Sequence, residues 1–203
     1  MAVVSGGTTL IDNGALDAGV PTGSLILLST QTASASASIS FTSDIDSTYD
    51  SYVFKFIDIH PATNSVRLTF NLSTDGGSTY NVTKTTTAFR SYHNEDDSSS
   101  GLIYFTDDDL AQSTAFSPLT AYIGSDNDQC CSGTLQIFNP SSTTFVKHFI
   151  LTANSNQASD FSPFTVENFI AGYGNTTSAV DAIQFKFESG NIDDGIIKMY
   201  GVK

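Results

Sequence analysis

The sequence predicts an all-β fold: a two-sheet, jelly-roll-like β-sandwich of about ten strands with an extended N-terminal arm. Three observations predict it. β-favouring runs recur at a spacing of roughly 10–15 residues, which suits a sandwich. Gly, Asn, Asp, Pro and Ser clusters punctuate them, as at Asp75-Gly76-Gly77-Ser78 and Asn139-Pro140-Ser141-Ser142. Several runs alternate with a period of two, and none carries a convincing helical period.

Residues 1–23 are Gly-, Thr- and Asp-rich and weakly periodic, so alone they bury little apolar surface. They read either as a loose tail or as an arm that orders on a partner. The arm is preferred, with Leu10, Ile11, Leu16 and Val20 as docking anchors. Residues 24–203 are the sandwich domain.

Leu25–Thr30 reads as a short strand. Ala33–Phe41 alternates strictly, with Ala33, Ala35, Ala37, Ile39 and Phe41 against Ser34, Ser36, Ser38 and Ser40, and predicts a second strand. Ser51–Tyr80 reads as a hairpin. Its second half, Val66–Ser73, alternates Val66, Leu68, Phe70 and Leu72 against Arg67, Thr69, Asn71 and Ser73, the pattern of a strand with one wet face. Its first half, Ser51–His60, is apolar on both sides. Phe54, Phe56, Ile57 and Ile59 are therefore candidates for contact between sheets or between subunits.

Tyr80–Arg90 is Thr-rich, and its 81–87 section is assigned to a solvated face or an edge. Tyr92–Leu119 is the longest irregular stretch, with the apolar insert 101–105 between acidic groups; long loops of this kind tend to be functional or mobile. Further strands are read at Cys130–Phe138, Phe145–Ala153, Phe164–Tyr173, Ala182–Glu188 and Ile196–Val202, with a turn at Gly190–Gly195.

The chain carries 21 acidic and 8 basic residues, a formal net charge of −13. Nucleic-acid binding rests on Lys and Arg neutralising phosphates, and no basic cluster exists, so nucleic acid and anionic membranes are excluded as partners. No run approaches the ~20 apolar residues of a membrane span. The N-terminus has no basic segment followed by an apolar core, which predicts a soluble chain made in a cytoplasm. The adjacent Cys130 and Cys131 do not suit a disulfide; on a strand one would point inward as a small hydrophobe.

Signals for chemistry are few. There is no nucleophile elbow, paired-His zinc motif or phosphate-cradling glycine loop, and one sequence of 21 acids does not single out a glycosidase pair. No enzyme is predicted. His60 and His148 read as structural. His93 with Asp96 and Asp97 is the best metal-like cluster but lacks a second histidine at ligand spacing. Asp107–Asp109, Asp126–Asp128 and Asp193–Asp194 offer oxygens to Ca2+ without a full loop motif, so no cofactor is predicted. Three Asn-x-Ser/Thr matches, at Asn71, Asn81 and Asn175, are of the kind a Thr- and Asn-rich chain produces by chance. Tyr92, His93, Asp96, Tyr104 and Asp108 form a candidate ligand loop, because sugar sites combine aromatic faces with acids and amides.

The run Thr30–Thr42, followed by Ile45-Asp46-Ser47-Thr48-Tyr49 and the Tyr52–Pro61 strand, resembles structural proteins of tailed phages, especially marine and cyanobacterial ones. The segments Asp75–Tyr80, Phe89–Asn94 and Ser189–Val202 resemble the same family, so the likeness covers roughly Leu25–Lys203. The resemblance implies a virion location and a surface role, as a head decoration or fibre protein or as a tail fibre or adhesion component. It further implies a β-sandwich, a homotrimer, other virion proteins as partners and no catalytic residues. A carbohydrate- or receptor-binding module contacting a host surface glycan is the alternative.

Overall fold

The computed structural model describes residues 3–5, 8–12, 15–16, 25–157 and 164–203. The described residues are β-strands and connections, with one 3-10 turn at Thr106–Asp108 and no α-helix. The N-terminal strands β1 (Val3–Ser5), β2 (Thr8–Asp12) and β3 (Ala15–Leu16) pair as a small antiparallel sheet in the order β1-β2-β3. The anchor residues Leu10 and Ile11 lie on β2 and Leu16 on β3, whereas Val20 lies outside the described residues.

The main domain contains β4 (Ile26–Thr32), β5 (Ile39–Phe41), β6 (Ser51–Pro61), β7 (Leu68–Ser73), β8 (Lys84–Asn94), β9 (Ser100–Tyr104), β10 (Ser117–Pro118), β11 (Cys131–Phe138), β12 (Lys147–Gln157), β13 (Phe164–Gly174), β14 (Ala182–Phe187) and β15 (Ile192–Val202). One sheet has the order β10-β7-β14-β5 and the other β4-β15-β6-β11-β12-β13-β8-β9. Every pairing is antiparallel.

This is a jelly roll with additions. Take β4, β5, β6, β7, β10, β11, β14 and β15 as strands one to eight. The first, eighth, third and sixth then lie side by side in one sheet, and the second, seventh, fourth and fifth in the other. That interleaving is the double Greek key of an eight-stranded jelly roll. Two further strand pairs, β8–β9 and β12–β13, lengthen the larger sheet beyond its partner.

The topology corrects the hairpin expected at Ser51–Tyr80. β6 pairs with β11 and β15, while β7 pairs with β10 and β14. The two strands face each other across the core, because a jelly roll sends successive strands to opposite sheets.

The wet face expected of Val66–Ser73 is corrected as well, since all six residues of β7 are buried. Leu68, Phe70 and Leu72 belong to the hydrophobic core. The polar side chains on the other face are covered and satisfied by hydrogen bonds. Thr69 Oγ1 donates to the Lys186 carbonyl at 2.8 Å, and Asn71 Nδ2 donates to the carbonyls of Tyr80 and Thr114 at 2.7 and 2.9 Å. A polar face buried this way is stable only because nearly every group finds a partner.

The predicted Ala33–Phe41 strand shortens to Ile39–Phe41. Ala35 turns to φ 50°, and before β5 only an isolated bridge at Ser36 remains. The 81–87 section divides: Lys84 and Thr86 point inward and are buried, while Thr87 faces solvent. The Tyr92–Leu119 stretch is more ordered than expected, because β9, the 3-10 turn and β10 fall within it. The expected Gly190–Gly195 turn instead overlaps the start of β15, where the register slips.

The core is aromatic. The Phe54 ring lies 5.4 Å from Phe41 and 5.6 Å from Phe185, Phe56 lies 5.2 Å from Phe185, and Phe70 lies 5.1 Å from Phe149. Steeply inclined pairs of this kind add about 0.5–1.5 kcal/mol each beyond the area they bury. Of the four candidates for inter-sheet or subunit contact, Phe54, Phe56 and Ile59 are spent between the sheets. Ile57 faces outward. A bulge at Asp58, with φ 50°, turns both Phe56 and Ile59 inward despite their odd spacing.

Candidate functional site

Three neighbouring strands, β15, β6 and β11, lose register at the same level of the larger sheet. Bulges there turn side chains off the regular pleat and open a depression of about 510 Å³ lined by Ile57, Asp58, His60, Asn127, Cys130 and the Asp193–Ile196 segment. Gly195 makes this close approach: at φ +122°, a Cβ would stand 2.7 Å from the Asp58 carbonyl oxygen.

His60 Nε2 lies 3.1 Å from the Asp126 carbonyl oxygen, so the Nε2–H tautomer donates to it, and Nδ1 is 3.8 Å from Asp193 Oδ2. Ser132 Oγ donates to Asp58 Oδ1 at 3.3 Å, and the Gly195 N–H donates to Asp194 Oδ1 at 2.7 Å. The hollow is rich in hydrogen-bond acceptors. Among the described residues, no group of three or more His, Cys, Asp or Glu side chains is placed to hold a metal ion. Cys131 is buried, and burial pushes its thiol well above the ordinary range; Cys130 borders the depression, and both cysteines are free.

The predicted ligand loop comes apart. Tyr92 lies on β8 with its ring against Phe164, at 5.9 Å. His93, near the end of β8, reaches across with Nε2 to Asp97 Oδ1 at 3.1 Å on the exposed β8–β9 turn, where Asp96 Oδ1 accepts the Ser98 N–H at 3.0 Å. Tyr104 donates its hydroxyl proton to Asp109 at the far end of β9. Asp108 is buried and paired with Arg67, whose Nη1 lies 2.7 Å from Asp108 Oδ1 and whose Nη2 lies 2.6 Å from Glu188 Oε1. None of these five residues lines the depression on β6, β11 and β15.

The Arg67 cluster is structural. Burial would depress the guanidinium, but its hydrogen bonds to Glu188 and Asp108 outweigh burial and hold it above its ordinary value. Burial raises Asp108, with Arg67 opposing the rise.

Sequence reasoning missed two lysines. Lys84 and Lys147 both pair in register with Gly174, and both point inward, fully buried. Lys84 Nζ donates to Asn71 Oδ1 and to the Val82 carbonyl; Lys147 Nζ donates to the carbonyls of Phe145 and Thr176. No carboxylate is among these partners. Burial pushes Lys84 down to about 7 and lowers Lys147 as well. Both read as polar fill between the extended sheet and its covering loops.

Two rows on the outer face of the added strands are largely apolar. Tyr104, Phe89, Phe169 and Thr152 are register partners in one outward row, and Thr87, Ala171 and Ile150 in the next. Phe89 and Phe169 stack, their centroids 4.8 Å apart and planes within 9°. Beside them a second depression of about 470 Å³ is floored by Ala171 and walled by Phe138, His148, Ile150, Tyr173 and the 85–87 threonines. Ile150 is 54% exposed, and the two rows and this hollow carry no formal charge; Leu102, 69% exposed, lies one row further, beside Ser91 and Glu167. An apolar patch of this kind marks an interaction surface.

Comparison with protein-family models, curated proteins and solved structures finds no match to this chain. The class that fold and surface define is an acidic jelly-roll β-sandwich with one sheet lengthened by two strand pairs and an apolar patch on the outer face of that extension.

Proposed function

We propose that this chain is a structural protein on the surface of a phage particle, a capsid decoration or fibre protein or a tail component, working as a homo-oligomer with a trimer favoured. The observation that carries the proposal is the interleaved eight-strand order, because viral capsid proteins are among the principal users of that architecture. The fold alone does not select a function. The sequence likeness to tailed-phage structural proteins adds the second support. On this reading the chain catalyses nothing, resides in the virion and touches other virion proteins. Residues 1–23 are the docking arm.

The test is mass spectrometry and immunogold labelling of purified particles, with full-length protein and a variant lacking residues 1–23. The full chain is expected in particles at fixed stoichiometry, and the truncated domain is expected to fold but stay out. Particles devoid of the full chain refute the surface role, and normal incorporation of the truncated chain refutes the arm.

One observation favours a second reading, a carbohydrate- or receptor-binding module. The bulged depression gathers Asp58, His60, Asn127 and Asp193, side chains of the kind that hydrogen-bond sugar hydroxyls, in a shallow hollow. A glycan screen decides it: binding abolished by Asp193→Ala supports this reading, and no binding by the folded domain removes it.

A further inference from the structure

The strands beyond the jelly roll have an unusual division of polarity. Facing inward, β8 and β13 bury Lys84, Thr86 and Asn168, while facing outward they present Phe89 and Phe169. The terminal strand β9 has only one neighbour, β8, and its Ser-Gly-Leu-Ile-Tyr sequence contains no charge or proline. Natural proteins guard an edge strand with such residues when nothing covers it.

We infer that the outer face of β9, β8, β13, β12 and β11 is the surface on which a second copy of this chain docks. The inference rests on the homo-oligomer reading proposed above and names its contact. Charge selects the occupant. Two copies each carrying a net charge of −13 repel wherever their acidic surfaces meet, and this face, whose one carboxylate is Glu167 in the row of Leu102 and Ser91, lets them approach with few like charges together.

Area permits it too. Five strands about 4.8 Å apart and three outward rows about 7 Å apart cover on the order of 500 Å² per copy, or about 1,000 Å² for a pair, which reaches the size of a specific interface. Shape agrees: the Phe89–Phe169 stack forms a ridge beside the hollow floored by Ala171. A ridge and a hollow on one face allow copy to meet copy under a symmetry axis.

Analytical ultracentrifugation of the full chain across the micromolar range tests the inference, using Leu102→Glu/Ile150→Glu, with Leu27→Glu on the opposite edge strand β4 as the control. Wild type and L27E are expected to associate reversibly. The double variant is expected to keep its melting temperature and lose affinity on the order of a hundredfold, because new carboxylates would be buried in a contact between two acidic copies. T87K, at an exposed position in the same patch, is a second probe should the double variant fail to fold. A wild type that stays monomeric throughout, or variants that associate unchanged, overturns the inference. Self-association lost on this face by a protein absent from particles supports the inference and refutes the virion role, so the two failures are distinguishable.

Discussion

Replacing Lys84 by methionine should flatten the pH dependence of stability above neutrality. Methionine keeps an unbranched chain of similar length and removes the charge. In the wild type the Lys84 ammonium is buried without a carboxylate, and burial lowers its pKa from 10.5 to about 7. Below about pH 7 the lysine is protonated in both folded and unfolded chains. Between about 7 and 10.5 the unfolded chain binds a proton that the folded chain does not, so stability rises with pH; above that window both forms are neutral. At 1.36 kcal/mol per pH unit, the window of about 3.5 units corresponds to roughly 5 kcal/mol as an upper limit. Lys84→Met also leaves the Val82 carbonyl without this donor, a cost of about 1–3 kcal/mol, whereas Asn71 Oδ1 still accepts the Leu72 N–H at 2.8 Å. The diagnostic is therefore the slope and not stability at one pH. Urea midpoints from pH 6 to 10 should rise steeply for wild type and less for the variant, and the difference curve isolates Lys84 from the same-sign contribution of Lys147. Parallel curves would mean that Lys84 keeps an ordinary pKa in the folded protein and would refute the reasoning.

Three further outcomes follow from the geometry. Arg67→Met removes the partner of buried Asp108 and should cost about 3–5 kcal/mol in denaturant unfolding, with an Asp108→Asn/Arg67→Met pair recovering part of the loss. Gly195→Ala should lower stability by about 1–3 kcal/mol or more, because φ +122° and the nearby Asp58 carbonyl both oppose a side chain; a melting temperature equal to wild type would contradict the close approach. His93→Ala, at the exposed end of β8, should stay within about 0.5 kcal/mol of wild type in the same assay, and a larger loss would show that its contact with Asp97 supports the fold.

Much of the fold was legible because burial writes a period of two. Ile183, Phe185 and Phe187 on β14 alternate in sequence and are all buried. Other features depend on partners that periodicity does not reveal. Sequence neighbours usually pair, which made Ser51–Tyr80 a hairpin, but the jelly roll places β6 and β7 in opposite sheets. The polar side of β7 looked wet because no local signal announces that Tyr80 and Thr114 will cover Asn71. The Ala–Ser alternation before β5 overstated the strand, since small side chains bury too little surface to hold Ala35 in the sheet conformation.

The candidate surfaces were harder to read for the same reason. Asp58, His60 and Asp193 are separated in sequence and meet only where bulges on neighbouring strands coincide. Lys84 and Lys147 ran against the expectation that lysine stays exposed unless paired with an acid. The outward apolar rows were visible in part, as the consecutive apolar residues Phe149, Ile150 and Leu151 within the predicted Phe145–Ala153 strand. Their continuation through Phe169 and Phe89 to Tyr104 exists only once β12, β13, β8 and β9 lie side by side.

The most direct test of the proposed role is an electron-microscopy map of the purified phage particle at a resolution that separates sheets. The account predicts the jelly roll on the particle surface in symmetric copies, with the Phe89–Ile150 face turned toward a neighbouring copy. Particles without this density, or copies whose apolar face stands open to solvent, would contradict it.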